Sequence, residues 1–146
     1  GFMYNGCMSV FDPRPGRASS IAPGKARFSA IAPTILFLNQ KPFYVVGAPG
    51  GTFITMGILQ AIINTIDFKM DAQKSVSAPR FCTTSNKIDI SNRILRSVEQ
   101  DLNRMGYETN RSYLSHHFAG VHSVRILNEN WDGGADPGRD GMVIEV

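Results

Sequence analysis

The fold of this chain is decided by the stretch Val45-Val46-Gly47-Ala48-Pro49-Gly50-Gly51-Thr52. The apolar run from Phe43 to Val46 is typical of a buried strand. Residues Thr52 to Met70 carry apolar side chains at helical spacing, which predicts a helix. The first N–H groups of such a helix have no partner within it, and glycines let another group approach them closely. The turn is therefore either an ordinary start of a core helix or a site for an anion or oxyanion.

Length and composition indicate one globular domain and argue against several classes of protein. The chain has 146 residues and 42% hydrophobic content, which is enough for a core. Its net charge of +3 and scattered basic residues argue against a nucleic-acid partner. No apolar run is long enough for a membrane span. Cys7 and Cys82 stand far apart, and His116, His117 and His122 lack metal-ligand spacing, so we expect no metal and no cofactor.

The rest of the chain alternates irregularly between predicted strands, helices and loops. In order, we predict the tail of a strand at Gly1 to Met8, a loop from Phe11 to Lys25, strand Thr34–Leu38, a turn at Asn39 to Lys41, helix Ala72–Ser77 capped by Asp71, strand Lys87–Ile90, helix Asn92–Met105 capped by Ser91, strand Tyr107–Thr109, strand Gly120–Leu127, a turn from Asn128 to Gly134, and strand Met142–Val146. The hairpins predict an α+β fold, in which antiparallel sheets are layered with helices.

Six motifs, in this order and spacing, resemble the gamma-glutamyltransferase family of N-terminal-nucleophile hydrolases. They are Ile21–Lys25, Ser29 with Ala32–Ile35, Gly47–Gly51, Ile66–Phe68, Ala78–Phe81 and Gly134–Gly141. Together they span nearly all of the chain and match the C-terminal part of the family's small catalytic subunit. The resemblance implies that residues 1–146 form a single domain, a fragment of that subunit, within a four-layer αββα sandwich.

The resemblance also implies a chemistry. In the family a precursor cuts itself to expose a threonine, which attacks a gamma-glutamyl amide while its own α-amine acts as base. The acyl group of the acyl-enzyme is then transferred to water or to an acceptor amine. Gly50 and Gly51 match the glycine pair whose N–H groups form the oxyanion hole, and Ser29 matches the first of two serines that hold the substrate α-carboxylate.

The same resemblance implies partners and a location. The partners are the large subunit from the same precursor, the missing N-terminal part of the small subunit, and a small gamma-glutamyl or related acyl amide. The sequence itself does not specify a compartment, and the resemblance favours the periplasm or the extracellular space.

The acyl pocket departs from the family pattern. The second serine is Ala30 here, and the family's Gln and Asp after the strand Gly1 to Asn5 are Cys7 and Val10. A valine cannot pair with an ammonium group, and Asp12 would point to the other side of an extended backbone. The candidate pocket residues are Asn5, Cys7, Val10, Ser29 and Ala30. An acylase for non-glutamyl amides is therefore an alternative.

The nucleophile is missing from this sequence. In the family it precedes the match to Gly1 by some tens of residues, in a Thr-Thr-His-like start that this chain lacks. Cutting before Thr52 would separate the oxyanion turn from its helix, and Cys7 matches a pocket position instead. We therefore expect the threonine to lie upstream and the chain alone to be inactive. A non-catalytic binding module that keeps the sandwich is the other interpretation.

The remaining polar residues have weaker predicted roles. Arg14 and Arg17 are either substrate-carboxylate ligands or solvated loop residues. Asp136 and Asp140 are typical turn formers before the last strand, and Trp131 is predicted to anchor a turn.

Overall fold

The computed structural model describes residues 1–2, 4–128 and 130–144, and the chain divides into two compact units, Gly1–Ala30 and Ile31–Val146. The first unit contains a 3-10 helix, Cys7–Val10. The strand predicted at Gly1 to Met8 is wrong for the described residues, which have no regular structure before that helix. An extended segment becomes a strand only where a neighbour accepts its hydrogen bonds, and no described strand pairs with it.

The second unit is built from strands and α-helices. Its described elements are β1 (Thr34–Leu38), β2 (Lys41–Gly47), α1 (Ile54–Ile66), α2 (Ala72–Ser77), β3 (Phe81–Cys82), β4 (Lys87–Ser91), α3 (Arg96–Arg104), β5 (Glu108–Ser112), β6 (His122–Leu127) and β7 (Asn130–Ala135). None of the described helices is long and apolar enough to cross a membrane.

The larger sheet has the order β1-β2-β6-β7 and is antiparallel throughout. Alternate residues of β2 point to opposite faces, so Tyr44 and Val46 are buried while Val45 is exposed. The buried face joins one core with α1 and α2, built from Tyr44, Val46, Ile54, Ile58, Ala61, Val76 and Val121. A layer of helices on an antiparallel sheet confirms the predicted α+β class and is consistent with an αββα sandwich.

The smaller sheet has the order β3-β4-β5. Strands β3 and β4 are antiparallel, but β4 and β5 run parallel and are connected through α3. This parallel pair was not predicted from the sequence. The side-chain amide of Gln60 on α1 joins the edge of this sheet to α1, because it donates to Phe81 O at 2.8 Å and accepts from Phe81 N at 3.1 Å.

Both long helices are shorter than the sequence predicts. α1 ends at Ile66, after which Lys69 adopts a left-handed conformation with φ 56°. α3 begins only at Arg96, since Arg111 of β5 donates to the carbonyl oxygens of Asn92 and Ile94 at 3.0 and 2.8 Å. These bonds hold the segment before α3 against the sheet.

The turn predicted from Asn128 to Gly134 is mostly strand β7, apart from Glu129, which lies outside the described residues. The glycines of this strand are there because other groups approach closely. A Cβ on Gly133 would lie 2.6 Å from Val143 Cγ1, and one on Gly134 would overlap the carbonyl oxygen of Ala72. Trp131 therefore lies in a strand, and residues 142–144 of the predicted final strand have no regular structure, while Glu145 and Val146 lie outside the described part.

Candidate active site

The turn between β2 and α1 adopts a backbone conformation that favours glycine. Gly50 has φ 143° and Gly51 has φ 59°, both in regions that L-residues rarely occupy. A short 3-10 helix, Gly51–Phe53, then leads into α1. The strand-turn-helix arrangement predicted from the sequence is confirmed.

The N–H groups of this turn are left without internal acceptors. Gly50 O accepts from Phe53 N–H at 3.2 Å, and Pro49 O accepts from Gly120 N–H at 3.0 Å. Within the described part of the chain, neither the Gly50 N–H nor the Gly51 N–H donates a hydrogen bond. Gly50 is half-buried and Gly51 is exposed, so two backbone donors are open to an acceptor from outside.

The turn packs against Ala119, which is buried. A Cβ on Gly50 would lie only 2.6 Å from Ala119 Cα, so the two backbones touch with no room for a side chain. Gly57 of α1 also leaves room for Ala119, since a Cβ there would lie 3.0 Å from Ala119 Cβ. Ala119 is therefore packed against both the turn and the helix that follows it.

Two side chains from the segment after β7 hold residues 116–121. Arg139 Nη2 donates to the carbonyl oxygens of His116 and Phe118, at 3.0 and 3.2 Å. Asp136 Oδ2 accepts from Val121 N–H at 3.2 Å. Asp136 also caps its own turn, as predicted, by accepting from Gly138 N–H at 2.8 Å.

Asp136 also forms a buried ion pair with Arg80. Burial lowers the pKa of the Arg80 guanidinium from its ordinary value, and the charge of Asp136 opposes that shift. Arg80 also donates to the carbonyl oxygen of Val76 at 2.6 Å. The pair borders a cavity of about 330 Å³, which Arg93 and Tyr113 also line.

An aromatic cluster lies beside the start of α1. The ring of Phe53 is 5.2 Å from His117 and 6.1 Å from Phe118, centroid to centroid. His117 Nε2 is buried and lies 3.8 Å from Asp89 Oδ1, beyond hydrogen-bond distance. Among the described residues, no group of three or more His, Cys, Asp or Glu side chains could hold a metal ion.

The predicted acyl-pocket residues belong to the first unit, whereas Gly50 and Gly51 belong to the second. The Asn5 side chain accepts from Cys7 N–H at 3.0 Å, and Cys7 is a half-buried free thiol. Val10 and Ser29 are exposed, and Ala30 is half-buried. That these residues line one cleft with the glycine turn remains a prediction.

Asp12 is already paired within the first unit. Arg14 donates to its carboxylate from Nε and Nη2, both at 2.8 Å, and Arg17 Nε lies 3.8 Å away. The Arg14 side chain, and then its backbone N–H, hold the pKa of the Asp12 carboxyl below its usual value. This carboxylate is therefore not an unpaired acceptor for a substrate ammonium group.

A model of the gamma-glutamyltranspeptidase family matches residues 1–146. The chain belongs to this family. This match confirms the family resemblance predicted from the sequence.

Two relatives illustrate the range of the gamma-glutamyltranspeptidase family. The chain is 40% identical over 112 residues to the acylase ACY 1 proenzyme of a Pseudomonas species, covering 77% of this chain and 20% of that protein. It is 34% identical over 149 residues to the glutathione hydrolase proenzyme of Bacillus subtilis, covering 100% of this chain and 25% of that protein. The chain therefore spans about a fifth to a quarter of the length of these two curated relatives.

Solved gamma-glutamyltranspeptidases have the same fold. A mutant of the Helicobacter pylori enzyme matches with TM-score 0.85 and 31% identity, over 94% of this chain and 82% of that chain. The Pseudomonas nitroreducens enzyme, complexed with L-DON, matches with TM-score 0.88 and 25% identity, over 100% of this chain and 82% of that chain.

The residues that support the glycine turn were not predicted from the sequence. Ala119, Gly120 and Arg139 had no predicted role, although Arg139 lies in the motif Gly134–Gly141. The available signal was Gly120 itself. An isolated glycine beside a strand can mark the close approach of another group, here the Arg139 side chain.

Proposed function

We propose that this chain supplies the oxyanion hole and part of the acyl pocket of an amidase and acyltransferase of the gamma-glutamyltranspeptidase type. The observation that carries the proposal is the pair of N–H groups at Gly50 and Gly51, which have no acceptor among the described residues and lie in a turn fixed by Ala119. Preorganised backbone donors of this kind stabilise negative charge without having to rearrange during the reaction.

The proposed reaction begins when a threonine hydroxyl attacks the carbonyl carbon of an acyl amide. The threonine's own α-amine takes the hydroxyl proton and later gives a proton to the leaving amine. The carbonyl oxygen becomes negatively charged in the tetrahedral intermediate, where the Gly50 and Gly51 N–H groups donate to it. Loss of one such donor typically costs about 3 kcal/mol of transition-state stabilisation. Water or an acceptor amine then attacks the acyl-threonine ester, which transfers the acyl group and releases the threonine hydroxyl.

The threonine is proposed to lie upstream of Gly1, in the part of the small subunit that this chain does not contain. Its relatives are proenzymes, which favours a precursor that yields a large and a small subunit. We propose that the second sheet of the sandwich packs on the helix-free face of the larger sheet. Ile35, Val45 and Val124 are paired across β1, β2 and β6 on that face, and all three are exposed apolar residues. A periplasmic or extracellular location belongs to the same proposal.

The proposal is tested by comparing the full-length precursor with this chain alone on gamma-glutamyl and glutaryl anilides. We expect turnover by the processed precursor and none by residues 1–146. Turnover by the isolated chain that disappears in Cys7→Ser or Thr52→Ala would show that the nucleophile lies in this chain. A folded, full-length protein that turns over no acyl amide would instead support a non-catalytic binding module.

A second candidate is an acylase for amides whose acyl group lacks an α-ammonium. An ammonium group in a partly dry pocket needs a charged acceptor, since an unpaired one costs several kcal/mol. Val10 offers none, Cys7 and Ala30 weaken the rest of the glutamyl site, and Asp12 is paired with Arg14. The 40% identity to an acylase proenzyme favours the same candidate.

The two candidates are separated by kcat/KM for glutaryl and gamma-glutamyl anilides in full-length protein. We expect wild type to prefer the glutaryl amide and Val10→Asp to move the preference toward the gamma-glutamyl amide. Val10→Asn is the matched control, because it adds polarity without charge. If wild type already favours the gamma-glutamyl amide by tenfold, about 1.4 kcal/mol, another residue binds the ammonium group and the acylase candidate is wrong.

A further inference from the structure

We propose that Arg139 is a positioning residue for the oxyanion turn, acting on it through the loop of residues 116–121. The inference rests on the proposed function of Gly50 and Gly51. Arg139, more than eighty residues further along the chain, would keep those two N–H groups in place.

The first step is the contact between the turn and the loop. Gly50 keeps its φ of 143° against the backbone of Ala119, and Pro49 O accepts from the N–H of Gly120. The turn is therefore joined to the loop by one backbone contact and one main-chain hydrogen bond. If Ala119 moves, the Gly50 N–H loses the surface that fixes its direction.

Ala119 is held in place by Arg139. Arg139 donates to the carbonyl oxygens of His116 and Phe118, just before Ala119. Its aliphatic stem lies across Gly120, where a Cβ would overlap Arg139 Cγ. Arg139 thus holds the loop on both sides of Ala119, by hydrogen bonds on one side and by packing on the other.

The third step is the anchor of Arg139 itself. The residue ends a 3-10 turn, Pro137–Arg139, which is capped by Asp136. Asp136 also accepts from the N–H of Val121 and pairs with buried Arg80. The turn that carries Arg139 is therefore docked on Val121, just before β6, and on Arg80, so the guanidinium extends to the loop from a fixed position.

The expected consequence is a loss in the chemical step rather than in substrate binding. Without the guanidinium, the carbonyl oxygens of His116 and Phe118 lose their donor and the loop relaxes. A shift of about 1 Å in reacting geometry can cost about 100-fold in rate. Since an oxyanion develops only after attack, we expect kcat to fall while KM changes little.

The test uses the full-length precursor, with kcat expressed per processed small subunit. Arg139→Met keeps the stem over Gly120 but removes the donors, and Arg139→Lys keeps the charge and one donor group. Arg104→Met is the control, because Arg104 pairs with Asp101 on the surface of α3. Hydrogen exchange of the peptide that covers residues 116–121 is measured on the same proteins.

We expect Arg139→Met to lower kcat by 10- to 100-fold, to keep KM within twofold and to speed exchange at residues 116–121. Arg139→Lys should recover part of both effects, and Arg104→Met should match wild type. Unchanged kcat, unchanged exchange, or a loss confined to KM in Arg139→Met would overturn the inference. If Arg139→Met does not fold, Arg139→Lys is judged by the same criteria.

Failure of the inference and failure of the proposed function give different results. If the wild-type protein turns over no acyl amide, the proposed function fails, whatever the variants do. If the wild type is active and Arg139→Met equals it in kcat and in exchange, only the role of Arg139 fails.

Discussion

Two irregular segments of this chain are held in place in opposite ways. The turn from Pro49 to Thr52 rests directly on backbone contacts with buried Ala119, and the ion pair behind that contact, Arg80 with Asp136, is itself buried. The loop from Asp12 to Ser20 is organised by charges, and the Arg14 side chain is 65% exposed while it pairs with Asp12. Steric contact is insensitive to salt and pH, whereas exposed ion pairs are weakened by both. We therefore expect the turn to keep its geometry under conditions that loosen the loop.

The largest effect is expected where a charge is part of the buried support. Asp136→Asn leaves Arg80 as a buried charge without its partner, which should lower the free energy of unfolding by about 3–5 kcal/mol. Chemical denaturation of variant and wild type measures this loss. Asp140→Asn, the same change at an exposed position four residues on, is the control and should cost little. Equal losses of unfolding free energy in the two variants would show that the buried ion pair of Asp136 does not contribute more than the exposed Asp140.

Gly50→Ala should have the next largest effect, because it attacks the steric contact directly. The new Cβ would lie 2.6 Å from the Ala119 Cα, and the alanine would have to adopt an unfavourable φ of 143°. We therefore expect a loss of about 2–4 kcal/mol in unfolding free energy. Gly51→Ala has only the strain of φ 59°, with no atom within 4 Å, and should cost about 1–2 kcal/mol.

The double variant Gly50→Ala, Ala119→Gly tests which part of Ala119 the new Cβ would meet. The clash involves the Cα of residue 119, which remains after that change, so the second substitution should not restore stability to Gly50→Ala. Denaturation curves for the single and double variants decide the matter. Full recovery would show that the turn rests on the Ala119 side chain rather than on its backbone.

Locally determined features were predicted well from the sequence. Asp71 caps α2 as predicted, accepting from Lys74 N–H at 2.7 Å, because both groups lie within one turn of chain. The strand-glycine-helix pattern at Gly50 and Gly51 has the same local character. The parallel pairing of β4 and β5 depends instead on how α3 crosses the sheet, and no local pattern encodes it.

The glycines of β7 explain the clearest error. Gly133 and Gly134 have the sequence pattern of a turn, but they are glycines because Val143 and the Ala72 carbonyl oxygen approach the strand there. The support of the glycine turn was missed for the same reason, since Ala119 meets the turn, and Arg139 meets the loop around Ala119, only in the folded chain. A contact between distant segments often requires only a single small residue in the sequence. Such a residue is not part of a helical or strand periodicity, so the sequence does not reveal its contact.

The smallest effect is expected in the charged loop. The folded-state pKa of Asp12 is depressed by Arg14, so the pair contributes its stabilisation above the unfolded pKa and loses it as pH falls through the folded value. The protection factor of the Arg14 Nε–H, measured by NMR as its exchange relative to free arginine at the same pH, should be high near neutral pH and fall below about pH 4. Asp12→Asn should remove this pH dependence, and 1 M salt should weaken the pair at neutral pH. Equal protection in Asp12→Asn and wild type at neutral pH would show that packing, not charge, organises the loop.

The order of strands in the larger sheet has a consequence for how the turn is acquired during folding. Strand β2 pairs with β1 through a tight hairpin, but its other neighbour, β6, lies about 80 residues further along the chain. During synthesis we expect the β1–β2 hairpin to form early, and Ala119 and Gly120 to reach the turn only when β6 closes the sheet. In pulse-labelling hydrogen exchange, we expect the Gly120 N–H to become protected together with β6 and well after the β1–β2 hairpin. The geometry of Gly50 would then be among the last features of the chain to form, and an incompletely folded chain would lack it.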